Sequence, residues 1–363
     1  MSNNFRKSIA LLVLNYNGCP YLEGCLKSLL SQTYKHFKVY VIDNKSTDGS
    51  VGFIKKHFSQ VSLIENFENF GVGKGFNDAI KTFSKEFDYI GLFNPDIKVD
   101  KNWLKESVST LDNYPEAEIC ASLVLDWRGK KIDTAGGRII NFLAGVFGGF
   151  LGNLPVKNVP PAYKKKEFPV FFGVVTAMLV RASAFKKFGF FDEDYFMYFE
   201  DVDFSWRVLL GGGKIYCNPK AVVYHYGHGS KPEKGLSLKL LKQTEINLLA
   251  TYFKNLSSLF FLLVFVPLVV IRVLASFLYL PISPKITLAK ISGICLFLTR
   301  LFFGQYRKQK IFVSYIRKLT DRQVLALNPT SLFSFTPLVS MMSHWFSLMG
   351  KVYNKQKHYQ KLK

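Results

Sequence analysis

Six carboxylates crowd into the stretch FFDEDYFMYFEDVDFSWR, from Phe190 to Arg207: Asp192, Glu193, Asp194, Glu200, Asp201 and Asp203. Phe191, Tyr195, Phe196, Tyr198 and Phe199 lie among them. The chain as a whole carries a formal net charge of +22, so the acids gather here against its general trend. The spacing of Glu200, Asp203 and Arg207 suits one face of a helix, where Arg207 can pair with part of the cluster. Val202, Trp206 and Leu209 form the apolar face of the same helix. Asp201 is left near the helix start, where the helix dipole favours a carboxylate. It is there either as a charge cap or, facing a cleft, as a base that takes a proton from a hydroxyl. In the second case Phe196, Tyr198 and Phe199 wall the site and can stack on a sugar.

Other polar groups stand where apolar runs end. The run Tyr89–Phe93 delivers Asn94-Pro95-Asp96, and Pro95 stiffens the turn. One carboxylate there can hold Mg²⁺ or Mn²⁺ beside a diphosphate, which needs hard oxygen ligands and few protein carboxylates; a turn-capping Asp is the plainer alternative. Asp43-Asn44, after the run Lys38–Ile42, can read the edge of a nucleobase, with Ser46 and Asp48 as helix caps. In Asn69–Asn77, NFGVGKGFN, three glycines let backbone amides approach a ligand and Lys74 adds a charge. This matches neither the Walker A pattern nor GxGxxG, so a Gly-rich turn is an equal reading. His225, in the run YHYGHGS, stands at a strand end and can reach a metal or a phosphate.

The elements that must position these groups alternate. Ser8–Leu14, Lys38–Ile42, Val61–Ile64 and Asp88–Phe93 read as strands; Tyr21–Ser31, Ser50–Phe58 and Gly75–Phe83 read as helices. That alternation predicts an α/β fold with a mostly parallel, doubly wound sheet. Ligands of such sheets bind beyond the carboxyl ends of the strands, where the polar clusters stand. Further on, Leu123–Ile140 reads as a hairpin around Trp127-Arg128-Gly129 and Gly145–Lys166 as a mobile loop. Val174–Val180 reads as a buried strand and Ala182–Lys187 as a short helix. Glu200–Leu210 is a helix stopped by Gly211-Gly212-Gly213. Lys214–Tyr216 and Ala221–Tyr224 read as two short strands.

The chain has 363 residues, 48% of them hydrophobic, which excludes a disordered chain. MSNNFRKS is polar and IALLVLNYNG reads as a first strand, not a leader. Five scattered cysteines without a CxxC pair argue against a disulfide framework or a zinc site and for a reducing compartment. A boundary near residue 250 divides the chain into 1–250 and 251–363. The second part holds sixteen Lys or Arg against one acid, Asp321. Its basic residues flank long apolar runs at Phe260–Leu280, Ile286–Phe303 and Leu332–Met349. Anionic lipid is therefore the expected partner, and no nucleic-acid-binding motif is visible. These runs either span the bilayer or lie in its interface, and a purely soluble helical subdomain is the plainer alternative.

The ordered set VLNYNG, VIDNKSTDGS, NFGVGKGFN, LFNPD, GFFDEDYFMYFEDVDFSWR and VVYHYGHGS closely resembles the family 2 glycosyltransferases, in particular the rhamnosyltransferase-like branch of cell-surface polysaccharide synthesis. The resemblance covers roughly Ser8 to Leu249. It implies a GT-A fold, a nucleotide-diphosphate-sugar donor (dTDP-rhamnose is one candidate), a divalent metal (Mg or Mn) and inversion at the anomeric carbon. It implies nucleotide-sugar contacts at Asn15, Asn17, Asp43, Asn44, Asn69, Lys74, Asn77 and Asn94. Asp96 and His225 match metal-binding positions, and Asn94 replaces the usual first acid of the motif. Asp201 matches the general base, with Glu200, Trp206 and Arg207 on the acceptor side. The acceptor class implied is a glycan or a lipid-linked sugar, met at the cytoplasmic face of the cell membrane through the C-terminal region. The competing readings are an inactive GT-A module that binds glycan and a processive membrane polysaccharide synthase.

Overall fold

The computed structural model describes residues 7–227, 237–281 and 283–329. His228 and the apolar run Leu332–Met349 lie outside the described residues. The first half alternates as its periodicities require: β1 (Ile9–Asn15), α1 (Cys19–Leu30), β2 (Phe37–Asp43), α2 (Ser50–His57), β3 (Ser62–Glu65), α3 (Gly71–Phe83) and β4 (Tyr89–Phe93). β5 (Ile97–Val99), α4 (Trp103–Asn113), β6 (Ala117–Asp126), β7 (Ile132–Ala135), β8 (Gly137–Asn141), β9 (Val146–Gly149) and β10 (Phe168–Pro169) follow. Then come β11 (Ala177–Arg181), α5 (Ala182–Phe188), α6 (Glu200–Leu210) and β12 (Lys214–His225). The chain continues in helices: α7 (Leu238–Asn255), α8 (Ser258–Phe277), α9 (Pro284–Phe302), α10 (Arg307–Ile316) and α11 (Asp321–Ala326).

The main sheet runs β10-β12-β6-β11-β4-β1-β2-β3. β1 pairs parallel with β2 and β4, and β2 with β3. β11 is antiparallel to both β4 and β6, while β12 is parallel to β6. All seven residues of β1 are buried, as expected of a central strand covered on both faces. One apolar layer joins the sheet to α1, α2 and α4 through residues such as Leu22, Ile54 and Trp103. The other joins it to α3, α5, α6 and the C-terminal helices through Phe76, Phe185, Trp206 and Leu248. The carboxyl ends of β1, β2 and β4 thus share one edge, and the polar clusters stand on it.

Four expectations change. The Gly145–Lys166 segment is not a loose loop: β9 pairs with β8, and Phe150 and Val159 are buried. Its apolar side chains find a core between the Gly and Pro residues that suggested mobility. α3 begins at Gly71, so the three glycines occupy its first turns. The two short strands after Gly213 are one, β12, interrupted by a register shift between Asn218 and Val222 beside Pro219, which has no N–H to pair. The boundary read at residue 250 falls inside α7, where Glu245 to Tyr252 are buried. α7 contributes Leu248, Leu249 and Ala250 to the core that also holds Phe204 and Trp206.

Candidate active site

α6 opens on Phe199, its N-cap residue, with Glu200, Asp201 and Asp203 in its first turn. The helix N-terminus concentrates unpaired N–H groups, which suits carboxylates. Asp201 accepts from the amides of Val202 (2.8 Å) and Val175 (3.4 Å). Burial raises its carboxyl to about 6, against the pull of those amides. Glu200 is 5% exposed, and its Oε2 is buried without a hydrogen-bond partner. Burial, reinforced by the Asp201 charge, holds it well above the usual carboxylate range. Asp203, two residues beyond Asp201, shows the opposite behaviour: burial opposes its charge, but Lys254 and Arg207 overcome that and lower it. The carboxylate fitted for base chemistry is the one without a cation in its listening range, Asp201, not the ion-paired Asp203.

The NPD turn brings Asp96 to the same edge, 3% exposed. β12 pairs with β5 so that His225 stands opposite Ile97, and Tyr226 donates to the Asp96 carbonyl at 2.9 Å. His225 Nε2 lies 3.4 Å from Asp96 Oδ2, and Nδ1 lies 2.6 Å from Asp133 Oδ2. Burial works against a charged His225, yet Asp133 and Asp96 together raise it to about 9. The two carboxylates make this a cation-favouring point. Nε2 is a buried nitrogen without a hydrogen bond of its own. Among the described residues no three His, Cys, Asp or Glu side chains converge on one point. A divalent ion beside a diphosphate needs only one or two protein ligands, so Asp96 with His225 Nε2 fits one.

The two halves meet across the β4–β11 edge. Ala177 of β11 pairs with Phe93 of β4. Just before it, the Thr176 carbonyl accepts from the Asn94 amide (3.3 Å), while the Val175 amide donates to Asp201. One dipeptide therefore touches both the NPD turn and the carboxylate of α6.

At the ends of β1 and β2 a polar lattice replaces the separate contacts expected. Asn15 Nδ2 donates to Asp43 Oδ1 (2.7 Å) and Ser46 Oγ (3.0 Å). Asp43 also accepts from the Ser46 amide and hydroxyl. Its Oδ1 thereby takes two bonds and its Oδ2 one within this lattice. Asn17 is exposed, at a φ of 52°, and accepts from the Thr47 amide. Asn44 is a strut: it donates to the Gly71 carbonyl (2.9 Å) and accepts from Asn66 (2.8 Å). Asn69 accepts from the Gly71 amide. Lys74 lies over the Phe70 ring, 4.0 Å from its centroid.

Several site residues read from the sequence are structural. Trp206 is fully buried, edge-on to Phe171 and Tyr252. Arg207 is buried, paired with Asp203 and bonded to the Phe188 and Phe190 carbonyls. Neither reaches an acceptor side, because α6 turns that face into the core. Asn77 donates to the Phe191 carbonyl (2.9 Å) and Glu193 Oε1 (3.1 Å), so it anchors the acidic segment. The acids of that segment act mainly as rivets. Asp192 pairs with Lys254 (2.7 Å), Glu193 with Lys81 (3.2 Å), and the Tyr195 hydroxyl meets Thr251 Oγ1 (2.8 Å). Phe196 and Tyr198 remain 41% and 38% exposed, as a wall of the cleft requires. Sequence reading missed Asp133 and the α7 residues and took Ser46 for a helix cap, whereas α2 has Gly49 at its N-cap and Ser46 bonds Asn15 and Asp43. Ser46 carried a signal, as a polar residue beside Asp43; Asp133 carried none.

Residues 10–189 match the family model described as "Glycosyl transferase family 2". An N-acetylglucosaminyl-diphospho-decaprenol L-rhamnosyltransferase of Mycobacterium tuberculosis is 27% identical over 238 residues, covering 61% of this chain and 77% of that protein. A rhamnosyltransferase of Escherichia coli K12 is 24% identical over 232 residues, covering 61% of this chain and 84% of that one. Among solved structures, a mannosyltransferase from Pyrobaculum calidifontis in complex with GDP-Man and Mn²⁺ aligns with a TM-score of 0.50. It is 14% identical and covers 89% of this chain and 87% of that chain, a likeness of GT-A fold.

Proposed function

The chain belongs to the family 2 glycosyltransferases, and from that membership we propose that it transfers a hexose, with inversion, from a nucleotide-diphosphate sugar to a lipid-linked glycan. The observation that carries this is the pairing, across one strand edge, of a buried ionisable Asp201 with the Asp96–His225 pair. In a single displacement the acceptor oxygen bonds to the anomeric carbon as the bond to the diphosphate breaks. The acceptor proton passes to the Asp201 carboxylate, and the nucleoside diphosphate leaves with the electron pair. Asp96 and His225 would hold Mg²⁺ or Mn²⁺, which supplies Lewis-acid stabilisation of the leaving diphosphate. The lattice of Asn15, Asp43 and Ser46, with exposed Asn17, forms the nucleotide end. The rhamnosyltransferase relatives favour a dTDP-rhamnose donor. Transfer assays with dTDP-rhamnose, UDP-GlcNAc and GDP-mannose test this. Turnover of dTDP-rhamnose alone supports it, and turnover of only another donor overturns the choice of sugar.

Asp133 supports the metal position. Accepting from Nδ1 at 2.6 Å, it leaves Nε2 turned toward Asp96, where a bound ion would take the place of the Nε2 proton. Outer carboxylates of this kind orient a ligating histidine. Asp133→Ala is expected to weaken Mn²⁺ binding by roughly 10–100-fold, read by titration calorimetry. An unchanged affinity would exclude the role.

The C-terminal helices account for the acceptor's location. α8 is 20 residues long with a mean hydropathy of 2.7, and only 17% of it is buried. Phe261, Val264 and Leu268 face the protein, whereas Leu259, Leu262, Leu263, Val266 and Leu274 are 62–72% exposed. Arg272 on this helix is tied to buried Glu245 of α7, and Lys290 of α9 joins them. A helix fastened along its length to the catalytic core fits an interfacial position on anionic lipid at the cytoplasmic face. The free cysteines agree with a reducing compartment. Replacing Leu259, Leu262, Leu263 and Val266 with Gln is expected to abolish co-sedimentation with vesicles containing phosphatidylglycerol, with transfer to a soluble acceptor kept. Binding that survives the change sinks this docking mode.

A further inference from the structure

We propose that Asn247, on α7, is a positioning residue for the Asp201 base. The chain enters α6 through two consecutive aromatic residues in the left-handed region, Tyr198 at φ 68° and Phe199 at φ 73°. Bulky side chains disfavour that region, and such strain persists only where the surroundings hold it in place. What holds it is Asn247, which is fully buried. Its Nδ2 group donates to the carbonyls of Met197 (3.0 Å) and Tyr198 (2.8 Å), one hydrogen to each. Its Oδ1 accepts from Gln243 Nε2, one turn earlier, at 2.7 Å. The amide is thereby fully used, and none of these contacts involves a carboxylate of the site.

The opposite side of the same segment is held by α3. The Val72 amide donates to the Phe196 carbonyl at 2.7 Å. Gly71, at φ +74°, is required there, because a Cβ would meet that carbonyl oxygen at 2.0 Å. The segment before α6 is thus clamped between α3 on the donor side and α7 on the other. The two-residue left-handed turn aims the first turn of α6, and with it Asp201. Without the Asn247 bonds, Tyr198 and Phe199 relax toward negative φ and the first turn of α6 rotates. The nucleotide lattice on β1 and β2 shares no contact with Asn247 and stays as it is.

This inference rests on Asp201 being the base, and its test separates the two claims. Asn247→Ala is expected to lower kcat by roughly 100-fold, the cost of misplacing a reacting group by about 1 Å. Nucleotide Kd should stay within about twofold, because additive sites share no partners. Adding Tyr198→Asn, which tolerates the left-handed region, should recover part of that kcat relative to Tyr198→Asn alone. Gln243→Ala, which withdraws the 2.7 Å bond to Asn247 together with a longer one to the Asp194 carbonyl (3.4 Å), should give a smaller loss in the same direction and covers the case that Asn247→Ala does not fold. Amide exchange over residues 196–203 should accelerate in both variants, with β1 and β4 unchanged; this reads the clamp whether or not Asp201 is the base. Unchanged exchange there, or kcat and nucleotide Kd failing together in both variants, overturns the proposal.

Discussion

Asp201→Asn is expected to cut sugar transfer by roughly 10²–10⁴-fold, the usual contribution of a positioned general base, while nucleotide binding persists. The substitution keeps size and, through its one amide oxygen, the shorter hydrogen bond from Val202; it gives up the longer one from Val175, which reaches the other oxygen, and removes the proton acceptor. The pH dependence gives an independent check. Burial raises Asp201 to about 6, and only the ionised form can take a proton. Transfer should therefore be full above that value and fall about tenfold per pH unit below it. Glu200 beside it is held well above its ordinary range by burial and by the Asp201 charge. Of the two, Glu200 is the one that holds a proton more firmly, which leaves Asp201 as the group to ionise first. Initial rates at saturating and limiting donor between pH 4.5 and 8 check this. A profile flat through 6, or an Asn variant as active as the parent, removes Asp201 as the base. An inactive glycan-binding module would show neither the rate nor the limb.

The strand-and-helix order as far as β4 was legible because each element has its own period and a polar group closes it. The NPD turn was legible for the same reason. The division of labour among the acids was legible in part: Asp203 shares a helix face with Arg207, Asp201 does not, and Asp201 ends beside backbone amides. What the sequence hid was the second cation beside Asp203, Lys254. Lys254 comes from a helix that appeared to start a different region. Trp206 and Arg207 were misread for a related reason. Periodicity marks a buried face correctly, but an aromatic and a cation near a base also look like substrate contacts until burial is known. Asp133 could not be seen, because only the β6–β7 hairpin carries it to His225, 92 positions away in the chain. The glycines after Asn69 read equally as a phosphate loop or a Gly-rich turn; in the fold they allow close packing of α3 against the acidic segment, since a Cβ on Gly73 would lie 3.1 Å from the Asp192 carbonyl oxygen.

α7 connects these observations. One side carries Asn247 and Lys254 against the segment that aims the base, and Glu245 receives Arg272 and Lys290 from the helices assigned to the lipid surface. A cut at residue 250 would divide this helix and expose Leu249 and Tyr252, which are fully buried. Removing residues 251–363 therefore tests folding before it tests membrane attachment. Point changes on the exposed face of α8 separate the two.

Asp96→Ala is expected to abolish detectable Mn²⁺ binding and to lower transfer by roughly three orders of magnitude. The size follows from the several kcal/mol that a Lewis acid contributes to a leaving diphosphate, at about 1.4 kcal/mol per tenfold in rate. Neither of the two described neighbours can take over. Asn94, at the first position of the turn, is a neutral amide, and Asp133 faces the other nitrogen of His225. Asp96 is thus the carboxylate facing Nε2, and its loss leaves that nitrogen without an anionic companion ligand. The contrast with Asp133→Ala is itself diagnostic: a ligand should cost more than the group that orients it. Manganese EPR on both variants, with thermal unfolding to confirm that each is folded, ranks the two losses. If Asp96→Ala binds Mn²⁺ as tightly as the parent, the ion is held elsewhere, and the Asp96–His225 pair is only a buried ion pair that ties β12 to the NPD turn.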